Sequence, residues 1–208
     1  MKSLTLLGSA LWLAVSSATA SVTLVNAGFE TSNLSGWTKD NGTLGGSSGS
    51  TTNANITAFE GSRYLQFFGN VDPAGPSDIL PAVYQDFTTV LGQEYQLSFY
   101  GQSPNTNKPF LDVELFDVSS GTVSLAAQTF NLPAASVSTG PTSTSEWELF
   151  TLNFTATSTS SRLLFRDGVS SIGRAPLVDS VSITAVPEPS RVALLFLGGV
   201  AFLRRRRR

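Results

Sequence analysis

From Ser21 to Ala185 no stretch sustains the three-to-four-residue apolar spacing of an amphipathic helix. Apolar residues come instead in short runs of Val, Leu, Phe, Tyr and Thr, cut by clusters of Gly, Pro, Asn and Ser. Within the runs they alternate. In Leu111-Asp112-Val113-Glu114-Leu115 the aliphatic residues fall on one side of an extended chain and the two acids on the other. Phe150, Leu152 and Phe154 repeat the pattern, as do Val178, Ser180, Ser182 and Thr184 against Asp179, Val181 and Ile183. This patterning predicts strands near 22–25, 55–58, 63–68, 82–89, 94–102, 110–118, 123–130, 147–156, 162–166 and 178–184. About ten short strands with turn residues between them predict an all-β sandwich of the jelly-roll kind. The stretches 40–55 and 133–145 consist largely of small and polar residues, so they are expected as long surface loops.

Composition removes whole classes of chemistry. The chain of 208 residues has no histidine and no cysteine. That excludes imidazole general bases, His-ligated zinc, thiol nucleophiles, thiolate metal sites and disulfides. A β-domain of about 165 residues buries roughly 70% of its unfolded surface, so it needs no disulfide. Enzymes that work with carboxylates alone pass this filter.

The two ends read as addresses. Lys2 precedes the apolar residues 4–15, and Ala18-Thr19-Ala20 is a small-x-small cleavage site ahead of Ser21. Together they predict a signal peptide over 1–20, exported through the Sec translocon. The alternative is a retained N-terminal helix, buried or anchoring. At the other end Val186-Pro187-Glu188-Pro189-Ser190 breaks regular structure, because proline lacks an amide donor and restrains its predecessor. Residues 192–203 are then uninterruptedly apolar, and Arg204, Arg205, Arg206, Arg207 and Arg208 follow. Twelve helical residues rise about 18 Å, short of a hydrocarbon core of about 30 Å, so length alone favours a buried helix. Five arginines cannot pack on a core, and they suit a stop-transfer signal on the cytoplasmic side. The segment 191–203 is therefore expected to be a short transmembrane helix.

This order of parts resembles the PEP-CTERM sorting signal. The resemblance covers 186–208, with Arg191 a departure from the uncharged residue usual after the motif. It implies that Val186, Pro187, Glu188, Pro189 and Ser190 are read by an exosortase in a Gram-negative bacterium. The chain would pass through an inner-membrane-anchored intermediate on its way to the cell surface or extracellular matrix.

A second resemblance lies in the middle. Val25-Asn26-Ala27-Gly28-Phe29-Glu30 followed by Leu34-Ser35-Gly36-Trp37 is similar to the opening of carbohydrate-binding-module-like, galactose-binding-like jelly rolls. Residues 61–65, 83–99 and 177–183 resemble later pieces in the expected order. Such domains often hold a structural calcium, so the resemblance implies Glu30 and Asp179 as its side-chain ligands. The alternative is that each caps a turn or faces water.

Flat aromatic residues stack on sugars, which makes Trp37, Tyr64 and Trp147 ligand candidates, with Tyr84 and Tyr100 of the same chemical type. Large aromatics are more often core residues. Asp112 and Glu114 share one face of a strand about 7 Å apart, which a glycosidase pair tolerates and a solvated face shows equally. Arg162, Arg166 and Arg174 suit an anionic polysaccharide or plain salt bridges. Without the two end segments the domain keeps six basic and fourteen acidic residues, a net charge of -8, so nucleic acid is not an expected partner. The expectation is a non-catalytic, exported jelly-roll domain that binds or organises exopolysaccharide. Its competitors are a carboxylate-only carbohydrate-active enzyme and a structural matrix protein without a small ligand.

Overall fold

The computed structural model describes residues 21–40, 47–51, 56–68, 80–104, 109–119, 123–134, 146–168 and 176–187. Eleven strands occur in them: β1 (Ser21–Val22), β2 (Thr38–Asp40), β3 (Ser47–Thr51), β4 (Tyr64–Phe68), β5 (Ala82–Thr88), β6 (Glu94–Gln102), β7 (Phe110–Asp117), β8 (Val123–Asn131), β9 (Glu148–Thr155), β10 (Ser160–Asp167) and β11 (Leu177–Ala185). The predicted signal peptide, the transmembrane segment 191–203, Glu188 to Ser190 and the five arginines lie outside the described residues. No helix among the described residues is long and apolar enough to cross a membrane.

The strands form two antiparallel sheets. One has the order β3-β4-β11-β6-β9, with β1 also paired to β11; the other has the order β2-β5-β10-β7-β8. The all-β sandwich expected from the alternation is the fold observed. In β7 the burial alternates along the whole strand, with Leu111, Val113 and Leu115 buried and Asp112 and Glu114 half-buried on the far face. The core between the sheets is aromatic. Phe99 of β6 sits 5.4 Å from Phe130, 5.5 Å from Phe150 and 5.3 Å from Phe165, ring centre to ring centre. These rings tie β6 and β9 of one sheet to β8 and β10 of the other.

Two strands depart from the sequence reading. Thr38–Asp40 extends the second sheet at its edge, and Ser47–Thr51 lies inside the stretch expected to be loop. Ser47–Thr51 carries no apolar residue to alternate. It is held through its backbone, from Ser47 opposite Phe68 to Thr51 opposite Tyr64. An edge strand can add to a sheet on main-chain hydrogen bonds alone, and hydrophobic periodicity does not report that. The expected strand at 55–58 reduces to a bridge at Ile56. The stretch 135–145 lies outside the described residues.

At one end of the second sheet the turns are knit by an acid. Asp117 accepts hydrogen bonds from the Ser119 amide and hydroxyl at 2.9 and 2.8 Å, from Thr157 at 2.5 Å and from Ser158 at 2.7 Å. The hydroxyls of Thr157, Ser158 and Ser119 hold its carboxyl well below the usual carboxylate range. The native pKa lies below the unfolded value near ~3.9, so this stabilisation is present above that pH and is lost as pH falls through the native value. Thermal unfolding between pH 2 and 6 is expected to show less acid sensitivity in Asp117→Asn than in the wild type. Equal slopes would remove Asp117 as a source of the loss.

Candidate functional site

The first candidate is built around an irregularity in β11. Its partner on one side changes along its length, with β4 beside Leu177 and Val178 and β1 beside Ile183 and Thr184. The register against β6 slips between Asp179 and Ser182, and Ser180 takes a left-handed φ of 47°. The break lets the segment after β1 reach in, where the Val181 amide donates to the Ala27 carbonyl. That segment is itself a tight turn. Asn26 and Phe29 both have left-handed φ, and the Phe29 amide donates to the Asn26 carbonyl. Phe29 and Trp37 pin it to the core with ring centres 5.1 Å apart. Glu30, next in the chain, is thereby aimed at the turn before β4.

Both predicted carboxylates arrive at this place. Asp179 is fully buried. Its Oδ2 accepts the Phe59 and Glu60 amides at 2.9 and 3.1 Å, and its Oδ1 accepts the Ser180 amide at 2.7 Å. Glu30 accepts the Ser62 amide at 3.1 Å, the Ser62 hydroxyl at 3.1 Å and the Arg63 amide at 3.0 Å. Gly28 lies between them: a Cβ there would stand 3.9 Å from Asp179 Oδ1 and 4.0 Å from Glu30 Cγ. Burial pushes the Asp179 carboxyl up to about 7, against the pull of three amides, and the charge of Glu30 adds to the rise.

The buried Asp179 and the exposed Glu30 thus put two carboxyl groups at one place. A calcium ion fits the donors, since it takes carboxylate oxygens and fills its set from backbone carbonyls and water. Among the described residues no third His, Cys, Asp or Glu completes a metal-binding group. The side-chain share would thus be Glu30 and Asp179. Gly61, at φ 64°, closes the cradle, because a Cβ there would overlap the Glu30 carboxylate. Gly61→Ala is expected to cost about 1–3 kcal/mol in strain and displaced hydrogen bonds. A melting temperature unchanged within error would show that Glu30 has room to move.

The second candidate is the outer face of the β2-β5-β10-β7-β8 sheet. Strand pairing sets Tyr84, Leu164, Glu114 and Ala127 in one row across four strands, and Ala82, Arg166, Asp112 and Thr129 in the next. Asp112, Glu114, Thr129, Leu164 and Arg166 line a depression of about 300 Å³ here. Thr129 donates to Asp112 at 2.5 Å. Arg162 makes a bidentate pair with Asp86, at 2.6 and 2.9 Å, and lies 3.9 Å over the Tyr84 ring. The pair with Asp86 raises the Arg162 pKa further. No sequence signal placed Leu164, Thr129 and Arg166 beside Asp112 and Glu114, because the grouping depends on the register of three strands.

The ring-stacking expectation needs correction. Trp37 is buried against Phe29 and Phe165, with its Nε1 donating to the Asn26 carbonyl at 3.1 Å. Tyr64 and Trp147 meet edge-on at 5.9 Å beneath Ile56 and Ala58, and Trp147 Nε1 donates to the Thr57 carbonyl at 2.9 Å. None of the three offers a ring face to solvent, so no stacking role is carried forward for them. Burial also pushes the Tyr64 hydroxyl up to about 12. Tyr100 is stacked on Phe59 at 3.5 Å, and Tyr84 is capped by Arg162. Of the sorting-motif residues, Val186 is tied by its amide to the Glu94 carbonyl, and Pro187 is exposed. Arg174, Ala18 and Ala20 lie outside the described residues, whereas Ser21 pairs with Thr184.

The Stig cyclase Fisc from Fischerella sp. TAU, solved with (3Z)-3-(1-methyl-2-pyrrolidinylidene)-3H-indole, superposes with a TM-score of 0.61 at 18% identity, covering 82% of this chain and 99% of that one. A CBM4 carbohydrate-binding module superposes with a TM-score of 0.54 at 17% identity, covering 79% and 100%. TmCBM61, solved with beta-1,4-galactotriose, superposes with a TM-score of 0.52 at 14% identity, covering 78% and 96%. The fold is a β-sandwich jelly roll, shared by the cyclase and the two carbohydrate-binding modules. At these identities the likeness extends to the fold and not to the ligand. No protein-family model and no curated protein matches the sequence.

Proposed function

We propose that this protein is an exported, non-catalytic carbohydrate-binding module whose ligand, an exopolysaccharide, lies on the outer face of the β2-β5-β10-β7-β8 sheet. The observation that carries the reading is the depression there. Arg166, Glu114 and Asp112 line it together with the buried, apolar Leu164. Mixed charged groups around an apolar patch can make several hydrogen bonds to sugar hydroxyls. The one outward tyrosine of this face, Tyr84, is covered by Arg162, which favours hydrogen bonding over ring stacking. Calcium at Glu30 and Asp179 serves as a structural ion in this reading. The chain is exported by its signal peptide, held by residues 191–203 and processed by an exosortase near Pro187–Ser190.

A single series of measurements tests the binding claim. Affinity electrophoresis on a panel of polysaccharides is expected to show retention that drops at least about tenfold in Arg166→Ala and Glu114→Ala, the scale of one lost charged hydrogen bond. Retention unchanged in both variants would move the ligand off this face. A second reading, a carboxylate-only enzyme, draws on Asp112 and Glu114 lining the same depression. Polysaccharide hydrolysis that disappears in Asp112→Asn and Glu114→Gln would favour it. For the sorting claim, mass spectrometry of the native protein is expected to find a first residue at Ser21 and a last residue within Pro187–Ser190. An intact C-terminal tail on surface-delivered protein would overturn the processing step.

A further inference from the structure

The β5–β6 turn carries the two most exposed large apolar residues among those described. Val90 is 64% and Leu91 is 67% exposed, side by side at the tip. The turn is rigid. Gly92 takes a φ of 80°, the Gln93 amide donates to the Val90 carbonyl, and the Val90 amide donates to the Tyr95 hydroxyl at 2.9 Å. The neighbouring turn between β9 and β10 is Ala156-Thr157-Ser158-Thr159, whose Thr157 and Ser158 hydroxyls bond the Asp117 carboxylate. It is fastened to the tip, with the Gly92 amide donating to the Ala156 carbonyl and the Thr89 amide to the Thr159 carbonyl. In a domain with net charge -8, this end presents two aliphatic side chains, with the exposed Glu94 close by and the Thr157 and Ser158 hydroxyls turned to Asp117.

The chain leaves the domain at the same place. The Val186 amide donates to the Glu94 carbonyl, and Gln93 Nε2 donates to the Val186 carbonyl, both at 2.8 Å. Only residues 187–191 then separate Val186 from the apolar run 192–203. Five residues fully extended span at most about 18 Å, and the two prolines stiffen them. Once 192–203 is in a bilayer, the tip cannot be far from the lipid surface.

We infer that Val90 and Leu91 form a membrane-contacting tip, which inserts into the headgroup region of the bilayer that holds residues 192–203. The inference rests on the membrane reading of that segment and adds an orientation to it. Beside Arg166, Ala82 begins β5, and the strand runs about 20 Å to Thr88 beneath the tip. The domain therefore stands on its β5–β6 turn, and the depression lined by Asp112, Glu114 and Arg166 lies on the side of the domain, toward the end remote from the membrane. Two aliphatic side chains add little affinity by themselves, so the tip orients a domain that the tail already tethers.

The chain has no cysteine, which permits a clean test. Leu91→Cys and, as the distant control, Leu149→Cys, each in the chain 21–208 that keeps the C-terminal segment, are labelled with an environment-sensitive fluorophore. Leu149 is also exposed and lies near the opposite end of β9 from the tip. Both are reconstituted into phosphatidylethanolamine–phosphatidylglycerol vesicles and quenched with a spin-labelled lipid. The label at 91 is expected to be blue-shifted and quenched at least about twofold more than the label at 149, as for side chains at the headgroup boundary. Protein that floats with the vesicles but shows equal quenching at both positions overturns the tip and leaves the anchor standing. Protein that fails to float overturns the anchor and the tip together.

Discussion

Asp179→Ala is expected to lower the stability of the domain by about 3 kcal/mol or more, because it strips the acceptor from the Phe59, Glu60 and Ser180 amides at once. The same change is expected to abolish any response to calcium. Wild-type protein with calcium at about a hundred times Kd should gain ~2.7 kcal/mol over protein in chelator. For a domain of this size that is a melting temperature higher by roughly 5–10 °C. An identical melting temperature in calcium and chelator would take calcium out of the reading. Asp179→Asn separates the two roles. It retains an oxygen acceptor for the amides and removes the charge beside Glu30, so in chelator it should cost less than alanine. In calcium it should gain nothing.

The pH dependence follows from the direction of the Asp179 shift. Its native pKa is about 7, above the value near ~3.9 of an unfolded aspartate. Between those values the folded protein holds a proton that the unfolded chain has lost. In chelator the associated stability is therefore present in full below about pH 4 and is lost as pH rises through about 7. Calcium favours the ionised form and should cancel that decline, and Asp179→Asn should lack it. A wild-type stability that rises from pH 4 to 7 in chelator would contradict this account of the site.

Phe99→Ala is expected to be comparably severe, at about 3–5 kcal/mol, or a melting temperature lower by roughly 6–20 °C. Phe99 is fully buried and touches Phe130, Phe150 and Phe165, which come from three other strands. Removing the ring takes away apolar burial and opens a cavity between the sheets that these rings cannot all close. Polysaccharide retention well below the new melting temperature should persist, since the depression lies on the opposite face of its sheet. A loss under 1 kcal/mol by denaturant titration would mean that the phenylalanine cluster repacks into the gap.

Much of this architecture was open to a reader of the sequence. The strand Glu94–Gln102 coincides with its expected limits, and most of the others fall within two residues of theirs. Alternation reports them because a half-buried strand must present every second side chain to the core. Ser47–Thr51 escaped because it has no apolar residue to alternate, and it pairs with β4 through the main chain. The three expected stacking residues failed for a related reason. An aromatic side chain looks the same in a sequence whether it caps the core or faces a ligand, and the loop containing Ile56 and Ala58 folds over Tyr64 and Trp147. Glu30 and Asp179 were chosen through a resemblance. The structure brings them to one place, beside Gly28, from the opening and closing segments of the sandwich.

By itself the sequence determined the fold class, the chemistry ruled out by missing histidine and cysteine, and the acidic balance of the domain. These are local or additive properties: a two-residue period, a residue count, a sum of charges. Tertiary structure alone decided which residues share a surface. Arg166 meets Asp112 because β10 pairs with β7, and Val186 meets the Val90–Leu91 turn because β11 ends beside β6. Antiparallel pairing joins residues far apart in the chain through backbone groups that every residue carries, so the sequence marks the strands far more plainly than their partners.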